Sequence, residues 1–124
     1  MEECRLCESD LRFMNIVWDH EPLPSGELVT LCAEILGWKK STTYTTLKKL
    51  CEKGYTENRD TIVRALIPRE KVRACESRHV VERAFDGSLP GFLAAFLGGR
   101  TISDKEAAEI KALIDDHRAH GKEV

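Results

Sequence analysis

The spacing of apolar residues changes at Gly54, and that change limits what the chain can fold into. Before Gly54, apolar residues return every three or four positions, the helical period. After it, Ile62-Val63-Arg64-Ala65-Leu66-Ile67 is a β-branched run stopped by Pro68. The helical part divides at its turn signals. Ser9 can cap a first helix from about Asp10 to Asp19, with Leu11, Met14 or Ile16, Val17 and Trp18 on its apolar face. Between His20 and Gly26 two prolines hold the chain extended, and a short first strand fits there. Ser25 can cap a second helix to Leu36, with Leu28, Leu31, Cys32 and Ile35 inward. Gly37 ends it, because glycine takes a positive φ without steric cost. A third helix follows, with Ser41 and Thr42 as N-cap candidates, Leu47, Leu50 and Cys51 facing a core, and Gly54 as its stop. Tyr55-Thr56-Glu57-Asn58 reads as a strand and Arg59-Asp60-Thr61 as a tight turn before the β-branched run. Helix, short turn, helix and then a hairpin is the order of a helix-turn-helix with a wing.

The outer face of the third helix is chemically unusual. It carries short hydroxyls (Thr42, Thr45) and cations (Lys48, Lys49, Lys53), with no acid before Glu52. Hydroxyls bond phosphate oxygens or base edges, and small side chains let a helix approach a groove closely. Lysines neutralise phosphates and release counterions. The plainer reading is a solvated face beside a core stripe. The whole chain has 124 residues and a net charge of −2, so total charge does not advertise nucleic-acid binding. Its distribution does: from Trp38 to Arg64 seven cations (Lys39, Lys40, Lys48, Lys49, Lys53, Arg59, Arg64) face three acids. Arg59 stands near the tip of the hairpin and Arg64 on its return strand, where either can reach a phosphate or the minor groove. A hairpin that merely covers the core is the competing reading.

From Arg69 onward the chain is helical again. Glu70 to about Phe85 carries Val72, Val80, Val81 and Phe85. Gly87-Ser88-Leu89-Pro90 breaks it, and Gly91 to Leu97 is too apolar to lie exposed. Ser103-Asp104-Lys105-Glu106 is a capping box that starts a last helix to about His120, with Ala107, Ile110, Leu113 and Ile114 on one stripe. A small winged helix cannot bury all of this, so pairing with a second copy is the natural outlet.

The five cysteines are odd in number and not spaced as a disulfide framework, and the acidic start (Met1-Glu2-Glu3-Cys4) is no signal peptide, which points to the cytoplasm. No apolar run approaches the roughly 20 residues of a membrane span. Cys4 and Cys7 form an isolated C-x-x-C, and no second motif completes a zinc site; more simply, Leu6 and Cys7 pack against the domain. His20, His79, His117 and His120 are scattered. No phosphate-binding, nucleophile-elbow or zinc-protease motif is present, so no catalytic or metal residue and no cofactor is expected.

With these segments in hand, the chain resembles the penicillinase-repressor family, the BlaI/MecI/CopY group of winged-helix regulators. The resemblance runs through Ser9 to Trp18, Pro24 to Leu28, Trp38 to Leu50 with Lys53-Gly54-Tyr55, and the tail from Gly87 through Phe96 with the Ser103-capped helix. It implies a homodimeric repressor on a palindromic operator, with the third helix in the major groove. It puts Thr42, Thr45 and Lys49 on DNA-facing positions, and it sets Tyr44 outward, where the family usually has a cation. The family classically controls β-lactamase genes and is released by cleavage at an Asn-Phe bond; here Ala95-Phe96 stands at that position. The wing lacks the family's Gly-Arg turn. The copper-responsive branch carries a C-terminal C-x-C pair, whereas this chain has no cysteine after Cys75.

The expected fold is therefore mostly α with a small β wing: a winged helix-turn-helix over residues 1–68 and a helical dimerisation region over 69–124. The expected DNA contacts are Lys39, Lys40, Ser41, Thr42, Tyr44, Thr45, Lys48, Lys49, Arg59 and Arg64. The expected dimer contacts are Phe92, Leu93, Phe96, Leu97, Ile110, Leu113 and Ile114. The expected partners are double-stranded operator DNA and a second copy of the chain, with no membrane. The alternatives are a metal- or thiol-responsive regulator built on Cys4 and Cys7, and a winged helix used only for protein contacts.

Overall fold

The computed structural model describes residues 6–119. Its elements are α1 (Glu8–His20), β1 (Leu23–Pro24), α2 (Ser25–Leu36), α3 (Lys40–Glu52), β2 (Thr56–Arg59), β3 (Ile62–Ala65), α4 (Arg69–Ala84), α5 (Leu89–Leu97) and α6 (Asp104–Asp116). The fold is mostly helical with one small antiparallel sheet in the order β1-β3-β2, as expected of a winged helix followed by C-terminal helices.

One core joins the first six elements. Phe13, Met14 and Val17 from α1 meet Leu28 and Cys32 from α2, Leu50 from α3 and Val63 from β3, all with no exposed surface. Burying each large apolar side chain contributes roughly 1.5–3 kcal/mol. The two candidates in α1, Met14 and Ile16, are both inside, because Phe13 to Val17 spans more than half the helix's circumference. Ile35, expected inward, is 57% exposed: α2 buries Ser25, Leu28 and Cys32, and Ile35 lies a turn beyond Cys32. Trp18 is half-buried, with its indole N–H donating to the Ile67 carbonyl at 3.0 Å.

The hairpin closes tightly. Arg59 pairs with Ile62, so Asp60 and Thr61 are the two loop residues, at φ 55° and 63°. Two positive values match the turn whose twist suits a two-residue hairpin. A β-branched residue is strained there, because its Cβ crowds the carbonyl that follows. The strained unit is held by a contact: the Thr61 carbonyl accepts the Ser25 N–H at 2.8 Å, tying the hairpin tip to the start of α2.

The expected caps divide by position. Ser103 accepts the Glu106 N–H at 3.0 Å, and Ser88 likewise caps α5 from the Gly91 N–H at 2.9 Å, so that helix starts at Leu89 rather than after Pro90. Ser9, Ser25, Ser41 and Thr42 do not cap. Each helix there begins earlier than its serine suggests, with Cys7, Pro24 and Lys39 in extended backbone at the capping position. Cys7 is exposed rather than packed, whereas Leu6 does pack against the core. The last helix ends at Asp116; His120 lies outside the described residues.

Beyond Val72 no described residue is buried. Leu89, Phe96, Leu113 and Ile114 each expose more than half of their surface. Phe92 meets Phe85 edge-on at 5.6 Å and stacks on Phe96 at 6.1 Å. Between α5 and α6 lies an apolar groove of about 320 Å³, lined by Phe92, Leu93, Phe96, Leu97, Ile110 and neighbours. Among the described residues no helix is long and apolar enough to cross a membrane.

Candidate nucleic-acid interface

Three contacts set the angle of α3. Gly37 takes φ 72° and its N–H bonds the Ala33 carbonyl, ending α2. Trp38 then stacks on Phe13 at 6.1 Å, anchoring the short turn to the core. Thr43, Thr46, Leu47 and Leu50 bury the inner face of α3, and Thr43 bonds back to the Lys39 carbonyl. The outward face is thereby decided. It carries Lys40, Ser41, Thr42, Thr45, Lys48 and Lys49, with Lys39 just before it, all exposed. No acid stands in the first turn.

Two of the expected contact residues are less free than their spacing suggests. Lys49 Nζ sits 2.9 Å from Asp10 Oδ1, and the Asp10 side chain is only 6% exposed against 45% for Lys49. The hydrogen bond that Lys49 donates to this carboxylate raises the Lys49 pKa, against the lowering effect of partial burial. Tyr44 does not point outward as the family position implied. It is half-buried against the core, and its hydroxyl donates to Ser25 Oγ at 3.4 Å. The hydroxyl thereby links α3 to the start of α2.

On the wing, Arg59 is 76% and Arg64 49% exposed, and each lies 3.9 Å from a Glu57 oxygen. At that separation on the surface, such pairs contribute little and exchange readily for a phosphate.

Asp10 is the residue that helical spacing left unused. Read as a first-turn acid favoured by the helix dipole, it lies on the same stripe as Phe13, Met14 and Val17, one turn earlier. An acid on a buried stripe needs a cation, and that signal was available in the sequence.

The free cysteines lie in three different surroundings. Cys7 is exposed, Cys32 is wholly buried, and Cys51 is half-buried beside Thr56. Burial raises the Cys32 pKa, with a Thr43 hydrogen bond opposing. Cys75 is disulfide-bonded, although the five cysteines are not spaced as a disulfide framework. Cys4 lies outside the described residues. Among the described residues, no group of three or more His, Cys, Asp or Glu side chains is arranged to hold a metal ion.

The penicillinase repressor family profile matches residues 6–116, from the start of the described chain to the end of α6. The chain belongs to the penicillinase repressor family. Its members are DNA-binding transcriptional repressors, not enzymes. The penicillinase repressor of Bacillus licheniformis is 22% identical to it over 123 residues, covering 96% of each chain. In this repressor, Ala95-Phe96 lies inside α5, with Phe96 52% exposed.

Proposed function

We propose that this repressor acts in the cytoplasm as a homodimer on a palindromic operator, with α3 of each copy in the major groove. Thr42 and Thr45 read base edges, helped by Ser41, while Lys39, Lys40 and Lys48 neutralise phosphates. Lys49 contributes only what its bond to Asp10 leaves free, and Arg59 and Arg64 reach the flanking backbone from the wing. Residues 1–68 form the DNA-binding domain and residues 69–124 the dimerisation region. Genes of the β-lactamase or antibiotic-resistance type are the expected targets.

The observation that carries this reading is the exposed face of α3, which combines short hydroxyls with cations and has no acid in its first turn. The dimer rests on a second observation. Leu89, Phe96, Leu113 and Ile114 each expose more than half of their surface, and a standard interface takes about 800 Å² from each partner. Phe92, Leu93, Phe96, Leu97, Ile110, Leu113 and Ile114 supply the apolar part.

Fluorescence anisotropy tests the function, using DNA from the repressor's own upstream region against a scrambled duplex at several salt concentrations. Tighter binding to the native duplex with a steep salt slope is expected. Lys48→Ala should weaken binding to all sequences and flatten the slope, whereas Thr45→Ala should change the sequence preference. Equal, weak and salt-insensitive binding to both duplexes would refute the proposal.

A further inference from the structure

We infer that Ser25 is a positioning residue: it ties α3 to the wing, and so sets where Arg59 meets the DNA backbone relative to the bases that Thr42 and Thr45 read. The inference rests on the DNA-binding reading above and adds to it a residue outside the contact face. Ser25 is only 7% exposed, so it acts through its neighbours.

Pro24 takes the capping position of α2, which leaves Ser25 in the first turn with its side chain unused as a cap. A buried polar residue needs partners, and Ser25 has them on two different elements. Its N–H belongs to the first turn, where no carbonyl within the helix can accept it. It donates instead to the Thr61 carbonyl at the hairpin tip, at 2.8 Å. Its Oγ accepts the Tyr44 hydroxyl of α3 at 3.4 Å. The sheet carries the link onward: Ile62 pairs with Pro24 on one side and with Arg59 on the other. The loop between Arg59 and Ile62 has two residues, so it has little slack to absorb a displacement at Ser25. A continuous path therefore runs from Tyr44 through Ser25 to Arg59.

Apolar contact holds α3 against the core but is non-directional. The Tyr44 bond is directional, and it meets α3 where α2 leaves the sheet. The Lys49–Asp10 pair lies on the α1 side and does not involve the wing. At 3.4 Å the Tyr44 bond is long and adds little stability. Its effect falls on the register of helix and wing rather than on folding.

The test is a double-mutant cycle in the full-length repressor, read by anisotropy on the upstream duplex against the scrambled one. Ser25→Ala removes Oγ and keeps the N–H to Thr61. Arg59→Ala should weaken binding by about fivefold in the unsubstituted repressor, but by less than about twofold in Ser25→Ala, where the wing is out of register. Tyr44→Phe cuts the same bond from the other side, keeps the ring, and should reduce the effect of Arg59→Ala equally. A residue that only stabilised the fold would leave that effect unchanged. Equal losses in all three backgrounds, or no loss from Arg59→Ala in the unsubstituted repressor, overturn the inference alone. No preference of the unsubstituted repressor for the upstream duplex overturns the DNA-binding reading, and the inference with it. If Ser25→Ala does not fold, the Tyr44→Phe cycle gives the decision.

Discussion

Asp10→Asn should make this repressor less stable and a better binder of DNA. The carboxylate and the Lys49 ammonium are 2.9 Å apart, one almost wholly buried and the other half in solvent. In an effective dielectric of about 20, their attraction is about 6 kcal/mol, and desolvating the carboxylate takes back several kcal/mol of it. Screening at the half-exposed lysine reduces the remainder further. A net of about 1–2 kcal/mol survives. Asparagine keeps the shape and one hydrogen bond, so the expected loss is near 1 kcal/mol, or about 4 °C in Tm for a chain of this size. The same substitution removes the charge that neutralises Lys49 on the outer face of α3. A freed cation adds about one phosphate neutralisation per protomer and steepens the salt slope by about 1. The assay pairs thermal unfolding with anisotropy titrations at four salt concentrations. A lower Tm with tighter low-salt binding is the expected result. If Tm and salt slope both stay unchanged, the pair does not form in solution and the account of Lys49 fails. Lys49→Ala should cost more stability, about 2 kcal/mol, because it leaves the buried carboxylate without its partner.

Other perturbations follow from the same geometry. Thr61→Gly should raise stability by about 1 kcal/mol in chemical denaturation, because glycine removes the crowding at φ 63°; a loss would mean that the side chain holds the turn. The Arg69 hydrogen bond lowers the Asp19 pKa below 3.8, so this pair stabilises above that pH and the benefit fades as pH falls through the lowered value. Asp19→Asn should therefore flatten the acid limb of stability below about pH 4, with no change near neutrality in the slope of stability against pH. A thiol reagent should label Cys7 at once and Cys32 only on unfolding, since burial both shields Cys32 and raises its pKa. Phe96→Glu should shift sedimentation towards monomer, because it puts a charge into the α5–α6 groove.

The architecture was largely legible because it depends on period. Leu47 and Leu50 at helical spacing, the β-branched run before Pro68 and the Ser103-Glu106 box each have one physical reading, and each appears where that reading puts it. Helix starts were not legible to the residue. Serine satisfies a helix N-terminus only in extended backbone, and proline or lysine before it can take that conformation equally well. Ile35 was misplaced for a related reason: periodicity gives the direction of a stripe but not how wide a face the neighbouring helices cover. Tyr44 lay on the edge between core and solvent, and only the packing of α2 beside α3 decided its side.

The cation excess of the α3 and wing region has a different meaning once the contacts are known. Seven cations against three acids in sequence suggests a strongly positive face. In the fold, Asp10 from outside that region draws on Lys49, and Glu57 stands between Arg59 and Arg64. Lys39, Lys40, Lys48 and Lys53 remain as the unshared charges, among the described residues. Fewer free cations mean fewer counterions released on any duplex, and so weaker sequence-independent binding. A net charge of −2 on each copy works in the same direction. The hydroxyls of Thr42 and Thr45 then carry a larger share of the discrimination between the right duplex and the rest. The field is held low by partners within the fold, and this is why removing one of them, Asp10, should strengthen binding while eroding its selectivity.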